Sequence, residues 1–171
     1  MTKVLIVEDH ASMRESLTMA LSGAGDFQVV GEVPNADYAL DFCERLRPDL
    51  VLMDVCTEGG ASGLKAVGAI RERYAEMKII VMTAFDEITY IPRAKAAGAN
   101  GFVYKSRSLS YFLDVARRRE QLPGAQDHPH APGRGPADRS GDGDPAPDLQ
   151  AHDQQGDCGR IVYQREHRQI P

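Results

Sequence analysis

The last third of this chain lacks the residues from which a folded core is built. Residues 120–171 contain no lysine and only five leucine, isoleucine or valine residues, but they contain fourteen proline or glycine residues. They also hold four of the five histidines and most of the net charge of −5. Such a composition cannot bury enough apolar surface to offset the entropy lost when a chain becomes ordered. We therefore predict that residues 120–171 form a disordered tail.

Other absences narrow the class of protein. The three cysteines, Cys43, Cys56 and Cys158, form no Cys-x-x-Cys pair, which argues against a disulfide scaffold or a zinc site and fits a reducing cytoplasm. Residues 1–119 carry 15 basic and 16 acidic residues, so they lack the basic surface that nucleic acid requires. The start of the chain shows no signal-peptide pattern, and no apolar run reaches transmembrane length. We expect a cytoplasmic protein with no membrane partner.

The first 119 residues show a regular alternation of strand and helix patterns. Short apolar runs rich in β-branched residues alternate with stretches of helical period, which gives five βα units. The runs are KVLIV (3–7), FQVVGEV (27–33), DLVLMD (49–54), KIIVMTA (78–84) and GFVYK (101–105). Because these strands are apolar on both faces, they predict one α/β domain with a parallel sheet covered by helices on both sides.

Polar side chains stand at the carboxyl ends of four of these strands. Ligands of open parallel sheets bind at this edge, so we expect these side chains to converge. They are Glu8 and Asp9 after strand 1, Asp54 on strand 3, Thr83 on strand 4 and Lys105 on strand 5. Three crowded carboxylates need a cation if all are to remain ionised, and oxygen ligands of this kind favour Mg²⁺. The cluster therefore predicts magnesium-assisted phosphoryl chemistry.

Each of these residues also has a simpler interpretation. Asp9 could cap the first helix, Asp54 could be an ordinary loop residue, and Thr83 or Lys105 could merely end a strand. The joint pattern over four strands favours a site. Neither GxGxxG after strand 1 nor GxxxxGK[ST] is present, so a flavodoxin-like nucleotide-binding enzyme, the rival from another class, lacks the usual phosphate loops.

The stretches VLIVEDH, PDLVLMDV, SGLKA, IIVMTAF and AGANGFVYKS carry a resemblance that spans residues 1–119. This part of the chain resembles the receiver domain of two-component response regulators, in the NarL/FixJ-like subfamily that carries a LuxR-type helix-turn-helix. The resemblance implies a flavodoxin-like, doubly wound sheet of order 2-1-3-4-5. It also implies a sensor histidine kinase as partner and a homodimer on phosphorylation. The domain would be no enzyme, but a phosphoacceptor with at most slow self-dephosphorylation.

The resemblance also assigns residues around the acceptor. Asp54 would accept the phosphoryl group, and Mg²⁺ would be held by Glu8, Asp9, Asp54 and the main-chain carbonyl of Cys56. The loop after the acceptor, DVCTEGGASG, departs from the family pattern because it lacks proline and has one extra residue. Either change could alter the choice of kinase or the lifetime of the phosphate.

Three further residues would act on the phosphoryl group or report its presence. Thr83 and Lys105 would bind phosphoryl oxygens. Thr83 and Phe102 would form the switch, with Phe102 as the aromatic residue that turns inward on activation. Ser106 follows the lysine where many members of the family have proline, which removes no reacting group.

The tail shows no helix-turn-helix as written, because its prolines and glycines interrupt every helical period. Reading plausible codons one nucleotide forward gives LTDREMEILRLICKHMTNKEIA and then LSISENTVKYH, which resembles the LuxR-type DNA-binding domain closely. We hypothesise an out-of-frame translation that begins near Glu120. DNA would then be a partner only of an in-frame version. The alternative is a stand-alone receiver with a natural linker, which acts as a phosphate sink or a protein-binding switch.

Overall fold

The computed structural model describes residues 1–84 and 89–118, in which strands and helices alternate along the chain. The predicted tail, residues 120–171, lies outside the described residues. The strands are β1 (Thr2–Val7), β2 (Phe27–Val33), β3 (Leu50–Asp54), β4 (Cys56–Thr57), β5 (Ala61–Ser62), β6 (Lys78–Thr83) and β7 (Gly101–Tyr104). The α-helices are α1 (Ala11–Ala24), α2 (Ala39–Leu46), α3 (Gly63–Arg73), α4 (Tyr90–Ala96) and α5 (Leu109–Arg117), and 3-10 turns span Ala36–Tyr38 and Glu58–Gly60.

Five of the strands form one parallel sheet in the order β2-β1-β3-β6-β7. When the short β4–β5 hairpin is set aside, this is the 2-1-3-4-5 order of a doubly wound sheet, so the predicted fold class is confirmed. In register, Val7 lies opposite Met53, Asp54 opposite Met82, and Thr83 opposite Tyr104. The carboxyl ends of β1, β3, β6 and β7 therefore lie side by side at one edge.

Both faces of the sheet are buried under helices. Along β1, Leu5 and Val7 belong to the apolar cluster that includes side chains of α2, α3 and α4, whereas Val4 and Ile6 belong to the cluster with α1 and α5. Every residue of β3 is buried. This two-sided burial explains why the strands are continuous apolar runs. Within the described ranges, no helix has the length and apolar character needed to cross a membrane.

The turn between α4 and β7 is held against α3 by Arg71. Helix α4 begins late, at Tyr90, so that Pro92 falls in its first turn, where a proline is tolerated. Gly98, with a φ of +95°, ends the following turn. Arg71 of α3 donates from Nε to the Gly98 carbonyl at 2.9 Å and from Nη2 to Asn100 Oδ1 at 2.6 Å. Arg71 thereby joins α3 to the turn that leads into β7.

The loop after β3 contains a hairpin that the sequence analysis did not predict. Residues Cys56 and Thr57 pair antiparallel with Ser62 and Ala61. Between the two strands, Gly59 and Gly60 adopt φ values of 72° and 77°. Residues other than glycine rarely adopt this left-handed backbone conformation. The two glycines of the unusual DVCTEGGASG loop therefore allow the chain to turn back on itself directly after β3.

Gly63 begins α3 at the point where the loop returns to β3. Its backbone N–H donates to the Val55 carbonyl at 2.8 Å. A Cβ atom on Gly63 would lie 1.8 Å from the carbonyl oxygen of Asp54, which is far inside van der Waals contact. Only glycine allows the start of α3 to approach β3 this closely.

We predict opposite effects for two alanine substitutions in α3. Gly63→Ala forces the helix away from Asp54, and we expect a loss of about 2–4 kcal/mol in the free energy of unfolding, in the range of severe packing defects. Gly68→Ala is the matched control, because a Cβ there meets no atom within 4 Å. This substitution should stabilise the helix by about 0.5–1 kcal/mol. Urea denaturation of both variants tests the difference, and equal effects would contradict the close approach.

Candidate functional site

Three charged side chains from three strand ends meet at the carboxyl edge of the sheet. Glu8 directly follows β1 and is fully buried, while Asp54 is the last residue of β3 and only 4% exposed. The Lys105 side chain, which follows β7, is 13% exposed. Its Nζ lies 2.6 Å from Glu8 Oε2 and 2.7 Å from Asp54 Oδ2. One ammonium group thus contacts both buried carboxylates.

The neighbouring acid, Asp9, points to a different partner. His10 Nδ1 lies 2.6 Å from Asp9 Oδ1 and 3.2 Å from Glu8 Oε1. The charge of Asp9 raises the pKa of this exposed histidine. His10, not Asp9, occupies the N-cap position of α1, and it forms no side-chain cap bond. The interpretation of Asp9 as a helix cap is therefore wrong.

Two carboxylate oxygens at this edge lack a properly oriented hydrogen bond. Glu8 Oε2 and Asp9 Oδ1 are buried, and among the described residues they accept no hydrogen bond of acceptable geometry. Lys105 Nζ lies 2.6 Å from Glu8 Oε2, and His10 Nδ1 lies 2.6 Å from Asp9 Oδ1. Each nitrogen is therefore close to its oxygen, but the two groups are not aligned for a hydrogen bond. Ligand atoms of Glu8, Asp9 and His10 lie within 4.8 Å of one another. Unsatisfied carboxylate oxygens of this kind suit a hard divalent cation such as Mg²⁺.

The electrostatics of Asp54 reflect the crowding of acids around it. Burial raises the pKa of Asp54 to about 6, and the negative charges of Glu8 and Asp9 act in the same direction. The ammonium of Lys105 lowers this pKa but does not cancel the rise. Desolvation lowers the pKa of Lys105, but its two carboxylate partners raise it by more. The site therefore keeps a cation beside a carboxylate that is costly to ionise.

An arginine that the sequence analysis did not single out holds the acidic loop in place. Arg14 Nη1 donates to the main-chain carbonyls of Glu8 and Asp9, at 2.7 Å and 2.8 Å. Its Nε lies 3.7 Å from Glu32 on β2. These bonds fix the backbone between β1 and α1 and add positive charge beside the acids. The periodicity of α1 carries no signal of this role, because it depends on how the loop curves back.

The remaining residues singled out from the sequence lie around this centre. Thr83, the last residue of β6, is fully buried, and its carbonyl accepts a hydrogen bond from the Lys105 N–H at 2.7 Å. Phe102 is 1% exposed and packs edge to face against Tyr104, with ring centroids 5.1 Å apart. Its ring is thus turned inward. Cys56 is the first residue of β4, in the loop directly after β3, and is partly exposed.

Comparison with known proteins identifies the family of this domain. Residues 4–117 match the model of the response regulator receiver domain. This chain belongs to the response regulator receiver family. The receiver domain also matches the response regulator protein VraR of Staphylococcus aureus, with 33% identity over 116 residues, covering 68% of this chain and 55% of VraR. The transcriptional regulatory protein YdfI of Bacillus subtilis is 33% identical over 125 residues, covering 71% of this chain and 58% of YdfI.

Solved structures agree with the fold of the receiver domain. A two-component response regulator of the LuxR family from an Aurantimonas species has a TM-score of 0.66 at 25% identity, covering 73% of this chain and 91% of that one. A CheY-like receiver domain protein from Methanospirillum hungatei has a TM-score of 0.63 at 20% identity, covering 68% and 91%, which shows the fold alone. The chain spans only about half the length of the curated relatives that it matches.

The raised pKa of Asp54 predicts a pH-dependent stability. The folded-state value of about 6 lies above the ordinary value of 3.8, so the folded receiver domain loses stability as the pH rises through this interval. Asp54→Asn removes the charge while Lys105 keeps Glu8 as its partner. We expect this change to raise the free energy of unfolding of the metal-free protein by about 1–3 kcal/mol above roughly pH 7.

Urea denaturation in EDTA at several pH values measures this effect. The gain should shrink as the pH falls from about 6 to 3.8 and should vanish well below 3.8, where the wild-type carboxyl is protonated in both the folded and the unfolded state. Asp41→Asn, on the exposed face of α2, is the control and should change little at any pH. A gain that does not depend on pH would contradict the assignment of the effect to ionised Asp54.

Proposed function

We propose that this receiver domain accepts a phosphoryl group on Asp54 from a sensor histidine kinase. The observation that carries the proposal is the pair of contacts from Lys105 Nζ to Asp54 and Glu8, at the ends of three strands of a receiver fold. An ammonium next to a buried carboxylate is suited to receive the negative oxygens of a phosphoryl group. Glu8, Asp9, Asp54 and the main-chain carbonyl of Cys56 would hold Mg²⁺.

In the reaction, a carboxylate oxygen of Asp54 attacks phosphorus while the bond from phosphorus to a kinase imidazole nitrogen breaks. The electron pair of that bond leaves with the imidazole. Mg²⁺, when bound, supplies positive charge to the oxygens of the group in transfer. Two residues of the chain supply the remaining chemistry. Asp54, with a pKa of about 6, is mostly ionised at neutral pH and can act as the nucleophile. Lys105 orients the incoming phosphoryl oxygens and neutralises their charge.

The added phosphoryl group would change the site through two residues. Thr83 stands at the end of β6, beside the β7 strand that leads to Lys105, and its hydroxyl would bind a phosphoryl oxygen. Phe102 on β7, which is buried and packs against Tyr104, would form the second part of the switch. The new charge and the new hydrogen-bond acceptors at this edge would thereby shift the packing of α4 and β7 from one arrangement towards another.

Further properties of the protein are proposed from its membership of the receiver family. The protein would work in the cytoplasm as a phosphoacceptor with at most slow self-dephosphorylation, and phosphorylation would promote a homodimer. Residues 1–119 would be the domain that carries these properties. A flavodoxin-like nucleotide-binding enzyme gains no support, because the carboxyl edge of the described sheet carries acids and a lysine where such an enzyme has a glycine-rich phosphate loop.

Incubation with Mg²⁺ and acetyl phosphate tests the acceptor. We expect a mass gain of one phosphoryl group on the wild-type protein and on Asp41→Asn, and no gain on Asp54→Asn. We expect Lys105→Met to slow the reaction by about 100-fold or more, because the phosphoryl oxygens lose their ammonium partner. Intact mass spectrometry follows all four proteins. A mass gain that survives Asp54→Asn would refute the proposal.

We infer that the output domain is present in the gene but out of frame in this chain. The support is the helix-turn-helix reading one nucleotide forward, together with the length of VraR and YdfI beyond the matched region. The nucleotide sequence around codons 115–125 decides the matter. The inference predicts codons that yield the LuxR-type reading after a shift of one base. Codons without that reading would favour the stand-alone receiver with a natural linker.

A further inference from the structure

The buried hydroxyl group of Thr57 connects the unusual loop after β3 to the rest of the domain through hydrogen bonds. Thr57 is 4% exposed. Its Oγ1 accepts a hydrogen bond from the backbone N–H of Ala36 at 2.8 Å and donates to the Ala61 carbonyl at 3.3 Å. The first bond reaches the segment between β2 and α2, and the second closes the β4–β5 hairpin. One side chain thus ties three segments of backbone together.

A second contact joins the same two loops. Asn35 Nδ2 donates to the Glu58 carbonyl at 3.0 Å, and Asn35 Oδ1 accepts from the Asp37 N–H at 2.8 Å. Asn35 therefore caps the 3-10 turn before α2 and also holds the tip of the hairpin. The hairpin is connected to the β2–α2 segment at two adjacent points.

The far end of the loop is fixed against the acceptor strand itself. Gly63 donates its N–H to the Val55 carbonyl at 2.8 Å, while Val55 donates to the Met82 carbonyl on β6 at 2.9 Å. The backbone between Asp54 and Thr57 therefore has little freedom to move. Cys56, whose carbonyl is the proposed main-chain ligand of Mg²⁺, lies in the middle of this short stretch.

We propose that Thr57 is a positioning residue for the phosphoacceptor site, which fixes the main chain of Cys56 in the place where its carbonyl binds Mg²⁺. This inference rests on the proposed function. Buried hydroxyl groups that satisfy a buried N–H are costly to remove, because the N–H of Ala36 is then left without an acceptor. Groups that orient a metal ligand typically change metal affinity by about 10–100-fold when they are lost.

The test compares Thr57→Val with Thr57→Ser. Valine keeps the shape but removes the hydroxyl, whereas serine keeps the hydroxyl. We expect Thr57→Val to weaken Mg²⁺ binding by about tenfold in titration calorimetry and to slow acetyl phosphate labelling of Asp54 similarly. Thr57→Ser should remain close to the wild type. Without Mg²⁺, hydrogen exchange at the Ala36 amide should be faster in the valine variant only.

Asn35→Ser gives a milder second variant if Thr57→Val does not fold. Serine at this N-cap position can still accept from the Asp37 N–H, but it cannot reach the Glu58 carbonyl. We expect a smaller loss of Mg²⁺ affinity than for Thr57→Val. Asp26→Asn, which breaks an ion pair with Arg117 far from the loop, controls for general destabilisation and should leave Mg²⁺ affinity unchanged.

The outcomes separate this inference from the proposed function. Normal Mg²⁺ binding and labelling of the wild type, together with unchanged affinity in Thr57→Val, would overturn the role of Thr57 alone. An equal loss of affinity in the valine and serine variants would also overturn it, because the hydroxyl would not be the cause. A wild-type protein that neither binds Mg²⁺ nor becomes labelled at Asp54 would overturn the proposed function and this inference with it.

Discussion

The shared ammonium group of Lys105 is the interaction on which the carboxyl edge of this domain depends. Two buried carboxylates, Glu8 and Asp54, would repel each other in a medium of low polarity. Lys105 contacts both at 2.6–2.7 Å and reduces this repulsion without satisfying all of their oxygens. The remaining unsatisfied oxygens, one of them on Asp9, leave the site with an excess of negative charge. A divalent cation, as proposed for this site, would offset this excess of negative charge.

The fold places these charges by fixing backbone rather than side chains alone. Arg14 binds the carbonyls of Glu8 and Asp9, Gly63 allows α3 to approach Asp54, and Thr57 fastens the following hairpin. Each of these contacts acts on a loop at a strand end, where the sheet itself no longer constrains the chain. The architecture therefore combines an apolar sheet that is buried on both faces with separately anchored loops, an arrangement that would hold the groups of the proposed phosphoryl-transfer site in fixed positions.

The sequence was sufficient to predict the order of the sheet, because two-sided burial produces continuous apolar runs that local pattern reveals. It also placed Glu8, Asp54 and Lys105 at one edge, since strand ends of a parallel sheet meet there. It could not predict the β4–β5 hairpin, whose turn depends on the φ angles of Gly59 and Gly60. Nor could it reveal Arg14 or Thr57, since their roles arise from hydrogen bonds to backbone in other segments.

The most direct test of the account is a crystal structure of residues 1–171 with Mg²⁺ and beryllium trifluoride, an analogue of the phosphoryl group. The account predicts the analogue attached to a carboxylate oxygen of Asp54, with Lys105 and Thr83 in hydrogen-bond contact with its fluorines. Mg²⁺ should be bound by Glu8, Asp9, Asp54 and the carbonyl of Cys56. An analogue attached elsewhere, or a cation that avoids these acids, would contradict it.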